Sequence, residues 1–382
     1  GLSTYRLRLA PAAWLLTQRT SFQIYQDLSE PEIALSVFSA WGIEVELRLD
    51  LLEFPKREFR VQFGESDFGF AARMLEEAGI SFYFETTLGE TTRLVLDQAP
   101  HVRAATGPLP YFDHVEGAPV SGFITALRIE RNVRPGRHTI QDYDHRLDPS
   151  LPLSVTSRRT GHDVEDALET YQYTPGAFLY CAEGANDTPI ADDRLRARTQ
   201  LTEGARQAQR RLVAGRFDAL RFEFTSSVLE LAPGVVAHIE GHPSSLLEGS
   251  ALLVVASVLQ GEVNGEWAHR CVAQLATTPF RPALTTTKPR VQGVENATVV
   301  GPAGEEIHTD EFGRVRVQFH WDRYGKSDEG SSCWMHVSHP WAGAGYGAIN
   351  LPRVGQEVLV EFLGGDPDRP IVIGRVYTTQ QA

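Results

Sequence analysis

The sequence predicts a mainly β protein with some α-helix, ending in a small β-barrel. Three observations predict it. Across Gly313 to Trp321, Val315, Val317, Phe319 and Trp321 share one face, and Arg314, Arg316, Gln318 and His320 share the other. That is the period of a half-buried antiparallel strand. Further on, Val358, Val360 and Phe362 alternate with Glu357, Leu359 and Glu361, and Ile371-Val372-Ile373 precedes Gly374. Turns at Thr309-Asp310-Glu311-Phe312-Gly313 and Gly364-Gly365-Asp366-Pro367-Asp368 punctuate these runs, the spacing of a small all-β barrel. Finally, 33 Gly and 22 Pro in 382 residues suit many turns between short strands better than a helical bundle.

Taken in order, Leu2 to Leu16 reads as largely extended, with Tyr5, Leu7 and Leu9 in alternation. Ser29-Glu30-Pro31-Glu32 is a capping box, followed by the helical stripe Ile33, Val37, Phe38 and Trp41 and a stop at Gly42. A second helix opens at Ser66 or Asp67, buries Phe68, Ala71, Leu75 and Ala78, and stops at Gly79. Strands follow at Ile80 to Phe84 and Leu94 to Leu96. Phe123 to Val133 alternates, with Ile124, Ala126, Arg128 and Glu130 opposite Phe123, Thr125, Leu127 and Ile129. A charged helix is expected near Ala191 to Val213, with Leu195, Ala205, Ala208 and Leu212 on its dry side and its Arg and Glu residues solvated. Val235 to Ile239, Leu252 to Leu259 and Cys271 to Leu275 read as strands.

Thr277 to Arg290 holds Pro279, Pro282, Pro289 and three consecutive threonines at 285 to 287. Proline fixes φ and removes a donor, so this stretch reads as an extended connector and a domain boundary. The length makes two or three domains the expectation. Cys181, Cys271 and Cys333 are odd in number and far apart, which reads as buried free thiols rather than a disulfide framework. No signal peptide stands at the front, and residue one is Gly, so the start reads as a fragment boundary, a processing site or the end of further upstream sequence.

Charge excludes some functions. The net charge is −13, and from Arg290 onward 8 Lys and Arg face 12 Asp and Glu. Phosphate binding needs the opposite balance, so no nucleic acid is expected as a partner, although Phe312, Phe319, Trp321 and Tyr324 resemble a stacking platform in composition. The alternation puts Phe319 and Trp321 in the core instead. His336 and His339 are three apart on a strand, hence on opposite faces, and have no acidic or Cys partner at ligand spacing. Ser66 in Gly64-Glu65-Ser66-Asp67-Phe68 lacks the closing glycine of a nucleophile elbow and serves better as a cap. Asp366 and Asp368 read as tight-turn residues. Gly343-Ala344-Gly345-Tyr346-Gly347 lacks the Lys-Ser/Thr of a phosphate loop. No catalytic residue, cofactor or metal is therefore expected.

The barrel stretch also carries a resemblance. Gly313-Arg314-Val315-Arg316-Val317-Gln318-Phe319 runs into His320-Trp321-Asp322, followed by Ser331-Ser332-Cys333-Trp334 and Pro340-Trp341-Ala342-Gly343. Pro352-Arg353-Val354-Gly355-Gln356-Glu357, Gly365-Asp366-Pro367-Asp368-Arg369-Pro370 and Gly374-Arg375-Val376-Tyr377 complete it. In this order they resemble the VgrG family, the spike of the bacterial type VI secretion system, which is related to phage tail hubs. Upstream, Arg60-Val61-Gln62-Phe63, Glu65-Ser66-Asp67-Phe68, Leu75 to Ile80, Gly215-Arg216 and Gly241-His242-Pro243 resemble the hub portion of that family.

The resemblance implies two barrel-like hub domains followed by an OB-fold-type five-stranded β-barrel, in a homotrimer. It divides the chain into a first hub domain over 1–115, incomplete at its N-terminus, a second over 116–278, a linker over 279–290 and the barrel over 291–378. Residues 379–382 would begin a β-helix needle that is absent here. The implied role is structural: a trimer caps a hexameric tube protein, meets the target membrane transiently when a sheath contracts, and carries effectors or adaptors. A tip-capping protein would sit on the needle. Such a protein is assembled in the bacterial cytoplasm and then injected. A phage-tail or extracellular contractile-injection hub is the nearest alternative, and a His-dependent cell-wall hydrolase a more distant one.

Overall fold

The computed structural model describes residues 7–86, 92–114, 118–119, 122–144, 150, 152–159, 161, 163–179, 200–262 and 267–379. Tyr5, Cys181, Leu195 and the expected helical residues 191–199 lie outside them. The first unit contains β1 (Thr20–Leu28), α1 (Glu30–Ser39), β2 (Val45–Arg48), β3 (Arg57–Ser66), α2 (Asp67–Ala78), β4 (Ser81–Glu85) and β5 (Arg93–Asp97). β1 and β3 form an antiparallel ribbon, and β2, β5 and β4 form a three-stranded sheet. Ile33, Phe38, Phe70, Leu75 and Leu96 bury the facing sides of the two helices and the sheet.

Local chemistry explains both helices. Glu32 Oε2 reaches back to the Ser29 N–H and Oγ, each at 2.8 Å, and satisfies a donor that α1 leaves open. Ser66 caps α2 by accepting from Gly69 N at 3.0 Å. Gly79 ends it in the left-handed region at φ 73°, where a side chain would be strained. Phe68 lies only half-buried, because Phe70 takes the inward position. The N-terminal stretch departs from the extended expectation: Ala12–Gln18 is a 3₁₀ helix that buries Ala13 and Leu16, while Leu7 and Leu9 are exposed.

The second unit adds β6 (Thr106–Pro110), β7 (Ile124–Arg131), β8 (Arg137–Gln141), β9 (Ser154–Arg158), α3 (Asp163–Ala167), β10 (Glu169–Tyr173) and α4 (Leu201–Ala214). β11 (Leu220–Ser226), β12 (Val236–Glu240), β13 (Ala251–Gly261) and β14 (Trp267–Leu275) complete it. Six strands form one sheet in the order β6-β12-β13-β14-β11-β7. Tyr111 bridges to Ile124, so the two edges meet. β6 precedes residue 115 yet pairs with β12, so this sheet crosses the boundary expected there.

Two expectations are corrected here. Ile124 is core, with Leu127 and Ile129 packed on the same cluster. Alternation fails because Ala126 takes φ 51° and the β7–β11 register shifts, inserting a bulge that resets the faces. In α4, Ala205 is exposed, whereas Glu203, Gly204, Gln207, Ala208 and Leu212 are buried. Gly204 lies against the Phe178 ring, and that contact sets which side of α4 faces inward.

The third unit holds β15 (Glu295–Val300), β16 (Arg316–Phe319), β17 (Ala342–Gly343), β18 (Tyr346–Gly347), β19 (Glu357–Phe362) and β20 (Pro370–Arg375). Four of these form a sheet in the order β16-β15-β19-β20. Residues 333–338 then join its free edges: Met335 N donates to Val315 O at 2.8 Å and Ser338 N to Val372 O at 2.7 Å. This irregular segment, not a regular strand, closes the barrel. Val315, Val317 and Phe319 are all buried as the alternation requires. Arg314 is not on the wet face; it is 2% exposed because Asp310 Oδ2 accepts from its Nε at 2.6 Å.

Candidate functional site

The first and third units share a core. The residues of β3 alternate, and Phe59 and Val61 join the barrel cluster of Val291, Val299, Val317, Phe319 and Val360, with Ile24 and Phe63 packed beside them. Trp321 stacks on Phe319 at 4.7 Å and lies 5.8 Å from both Phe22 and Phe63. Phe319 and Trp321 are thus spent on packing the ribbon, whereas Phe312 lies under Arg314 and Tyr324 is 48% exposed.

Around that apolar contact lies a ring of buried charge. Arg57 Nε donates to Glu30 at 2.7 Å, and its guanidinium reaches the Leu179 carbonyl at 2.8 Å. Arg73, 1% exposed, pairs with Glu65 at 2.7 Å and Glu77 at 3.3 Å. Arg60 meets Asp368 at 3.1 Å and stands 3.6 Å from Glu30 and 3.8 Å from Glu77. Lys288, from the connector, places its Nζ 2.6 Å from both Asp366 and Asp368. Arg57, Arg60, Arg73, Glu77, Lys288 and Asp368 line one side of a cleft of about 350 Å³, where Asp142, Thr286 and Trp334 bring all three units together.

The electrostatics follow from burial and pairing. Burial pushes the Glu77 carboxyl up, but Arg60 and Arg73 outweigh it and hold it down at about 2. Asp368 is held below the usual carboxylate range in the same way, by Lys288, Arg60 and Arg73 acting against burial. Glu30 is lowered by Arg57 and Arg60 against burial. Glu65 moves the other way, because burial exceeds what Arg73 returns. Burial lowers the Lys288 ammonium, and Asp368 and Asp366 more than reverse it, so it is raised. Each charge here has a partner, so the ring binds the units to one another.

Asp366 and Asp368 therefore do more than make a turn. Asp366 Oδ1 does accept from Asp368 N at 3.0 Å. Asp368, however, leaves the turn: its Oδ1 accepts from Val61 N at 2.8 Å. Pro367 is buried in this turn, which Arg369 N closes on Asp366 O at 2.9 Å. The connector is docked as well. Glu76 accepts from the backbone and the hydroxyl of both Thr285 and Thr286, at 2.7–2.9 Å. Spacing alone could not have shown these pairings, since the partners lie far apart in sequence.

The remaining motif residues are scattered over the barrel. Gly313 turns at φ 69° and lies against Leu351, and Pro352 is buried. Gly355, at φ 84°, and Gly365, at φ 73°, make turns whose backbones bond to Val299 O and Val291 N. Glu357 accepts from His320 Nε2 at 2.8 Å on the outer face, and Pro370 and Gly374 lie on β20. Trp334 is half-buried beneath Arg316, 4.8 Å away, with His308 at 5.0 Å. Pro340 is exposed, and Trp341 is 62% exposed; Trp267 at 58% and Trp14 at 40% are likewise outside the core. Burial raises the thiol of Cys333 well above its ordinary value and pushes Cys271 up to about 12, which suppresses both thiolates. Among the described residues no group of three or more His, Cys, Asp or Glu is placed to hold a metal.

The structure is thus a strand-rich platform locked through buried charge onto a small closed barrel. Residues 1–265 match the phage tail baseplate hub (GPD) family, and residues 302–377 match the type VI secretion system/phage-baseplate injector OB domain. The chain belongs to this baseplate-hub family, in its VgrG branch of type VI secretion spike proteins. It is 38% identical to the type VI secretion system spike protein VgrG4b of Pseudomonas aeruginosa over 98% of this chain and 46% of the relative. It is 34% identical to VgrG1a of the same organism over 99% of this chain and 57% of the relative. The chain spans about half the length of these relatives. In fold it is similar to the E. coli c3393 protein, described as a type VI secretion component with structural similarity to the bacteriophage T4 tail proteins gp27 and gp5. The TM-score is 0.60 at 18% identity, over 96% of this chain and 76% of the other.

Proposed function

We propose that this chain is the hub and collar of a type VI secretion spike, acting mechanically rather than as a catalyst. Three copies cap the hexameric tube, with two hub units in each of three chains to meet a six-fold face. The hub units correspond to 1–115 and 116–278, with β6 lent to the second, the connector to 279–290 and the collar to 291–378. When the sheath contracts, the assembly leaves the bacterial cytoplasm, crosses the target membrane and carries effectors or adaptors with it. A tip-capping protein would ride on a needle beyond the collar.

The observation that carries this reading is the fused junction. A spike must pass axial force from hub to collar, and a flexible linker would absorb it. Here β3 lends side chains to the barrel core, and Arg60, Glu77, Lys288 and Asp368 close the joint. The test is the solution mass of the chain by light scattering behind a sizing column. About three times 42.3 kDa is expected, and binding to tube-protein hexamers should follow. A chain that remains monomeric in its natural sequence context and ignores the tube would overturn the reading. A phage-tail or extracellular contractile hub is the second reading, favoured by the hub-family match over 1–265.

A further inference from the structure

The barrel also carries a continuous exposed stretch that the junction does not use. Residues 340–350 are all exposed, and none of the eleven carries a side chain that is charged at neutral pH. They contain β17 and β18, with Trp341 and Tyr346 each 62% exposed and Ile349 80% exposed. On a chain with 22% charged residues and a net charge of −13, this is an apolar, uncharged projection in water. Exposed apolar surface of this kind marks an interface rather than a neutral loop.

The projection is also held in one shape. Gly343 lies directly beneath the Tyr346 ring, close enough that a Cβ there would come within 2.4 Å of it. The Trp341 and Tyr346 rings stand 5.9 Å apart. Ala348 N donates to Trp341 O at 2.9 Å, and Gly345 supplies the turn at φ 77°. Rigid aromatics presented outward lose little entropy when a partner covers them.

Charge selects the partner. At a rotation axis every residue faces copies of itself, so a charged side chain there opposes its own sign. Two copies of a −13 chain also repel elsewhere, so they meet at least cost on a neutral patch. We infer that residues 340–350 are the self-contact of the collar, where the Trp341–Tyr346 hairpins of neighbouring copies pack together around the trimer axis. This rests on the trimeric reading above and adds the surface that makes the collar meet itself.

Charge complementation tests it. Tyr346→Glu and Tyr346→Lys each place like charges together at the axis and should raise the dissociation constant about tenfold or more. Thermal stability at low concentration should stay unchanged, because Tyr346 is already exposed. Mixing the two variants should restore the associated mass, whereas either alone should be restored only by high salt. In a Cys181→Ser background, Ala344→Cys should link copies through a short bismaleimide, and Leu52→Cys, on a residue 93% exposed elsewhere, should not. If the parent is trimeric but both Tyr346 variants stay trimeric and Ala344→Cys fails to link, this surface faces another partner and the inference falls while the trimer stands. A parent that stays monomeric overturns the trimeric reading and the inference together.

Discussion

Asp368 and Arg60 lie 308 residues apart in the chain, yet their side chains meet at 3.1 Å inside the joint between the barrel and the first unit. The Asp368 side chain is 3% exposed and also holds Val61 N and Lys288 Nζ. Removing one member of a buried pair leaves its partners charged and unpaired, which costs about 3–5 kcal/mol. Asp368→Ala should therefore destabilise the chain by about that amount in urea unfolding. Asp366→Ala, whose side chain is 25% exposed, should cost about 1 kcal/mol or less. Equal losses for the two would remove Asp368 from its central place in the joint.

Acid should open the same joint. Glu77 is held at about 2, against an ordinary 4.5, and Asp368 is lowered too. A group whose folded value is depressed contributes stability above its unfolded value, and that contribution disappears as pH falls through the folded value. The loss should therefore run from about pH 4.5 down to about 2. Glu65, raised by burial, opposes it in part. Lys288 is raised, so its contribution is full below its ordinary 10.5 and fades only above that. Tryptophan fluorescence of Trp321, which sits between barrel and ribbon, should shift over the acid window. Glu77→Gln should narrow that window, and an unchanged transition would dissociate Glu77 from acid stability.

Gly234 joins the second unit to the first. Its φ is 91°, the Tyr83 ring stands 2.8 Å from where a Cβ would be, and its carbonyl accepts from Arg103 at 3.0 Å. Gly234→Ala combines left-handed strain of about 1–2 kcal/mol with overpacking of about 1–3 kcal/mol. A lower melting temperature is expected, and Tyr83→Leu in the same chain should recover part of it by relieving the clash. No recovery would leave backbone strain as the whole effect.

What was legible in the sequence was local. The capping box at Ser29 and Glu32, the Ser66 cap, the Gly79 stop and the Val315–Phe319 face depend on neighbours within a few residues, and spacing encodes them. Asp310 captures Arg314 only four residues away, but doing so overrides the alternation, which cannot register a buried pair. The Ala126 bulge needed knowledge of the facing strand, and the dry side of α4 needed Phe178. The joint itself was the least legible part. Asp366-Pro367-Asp368 has the chemistry of a turn, and nothing near it announces Arg60, Val61 or Lys288.

The connector offers the sharpest test of whether the first unit and the barrel move as one body. Its proline-rich composition suggests a free tether, but Glu76 takes four hydrogen bonds from Thr285 and Thr286, and Lys288 enters the charged ring. Hydrogen bonds to a charged acceptor contribute about 1.5–3 kcal/mol each. Losing them together should raise the open population of the connector about tenfold or more. Leu284, 43% exposed and next to Thr285, then becomes the natural chymotrypsin site. Cleavage there should accelerate in Glu76→Ala in proportion to the open fraction, because opening is fast relative to cutting at low protease. Thr285→Val with Thr286→Val removes the hydroxyl bonds and keeps the backbone ones, so it should give an intermediate rate. If the parent is already cut at Leu284 as fast as Glu76→Ala, the connector is a tether after all. The shared Phe59 and Val61 core and the Arg60–Asp368 pair would then hold the barrel to the first unit without it.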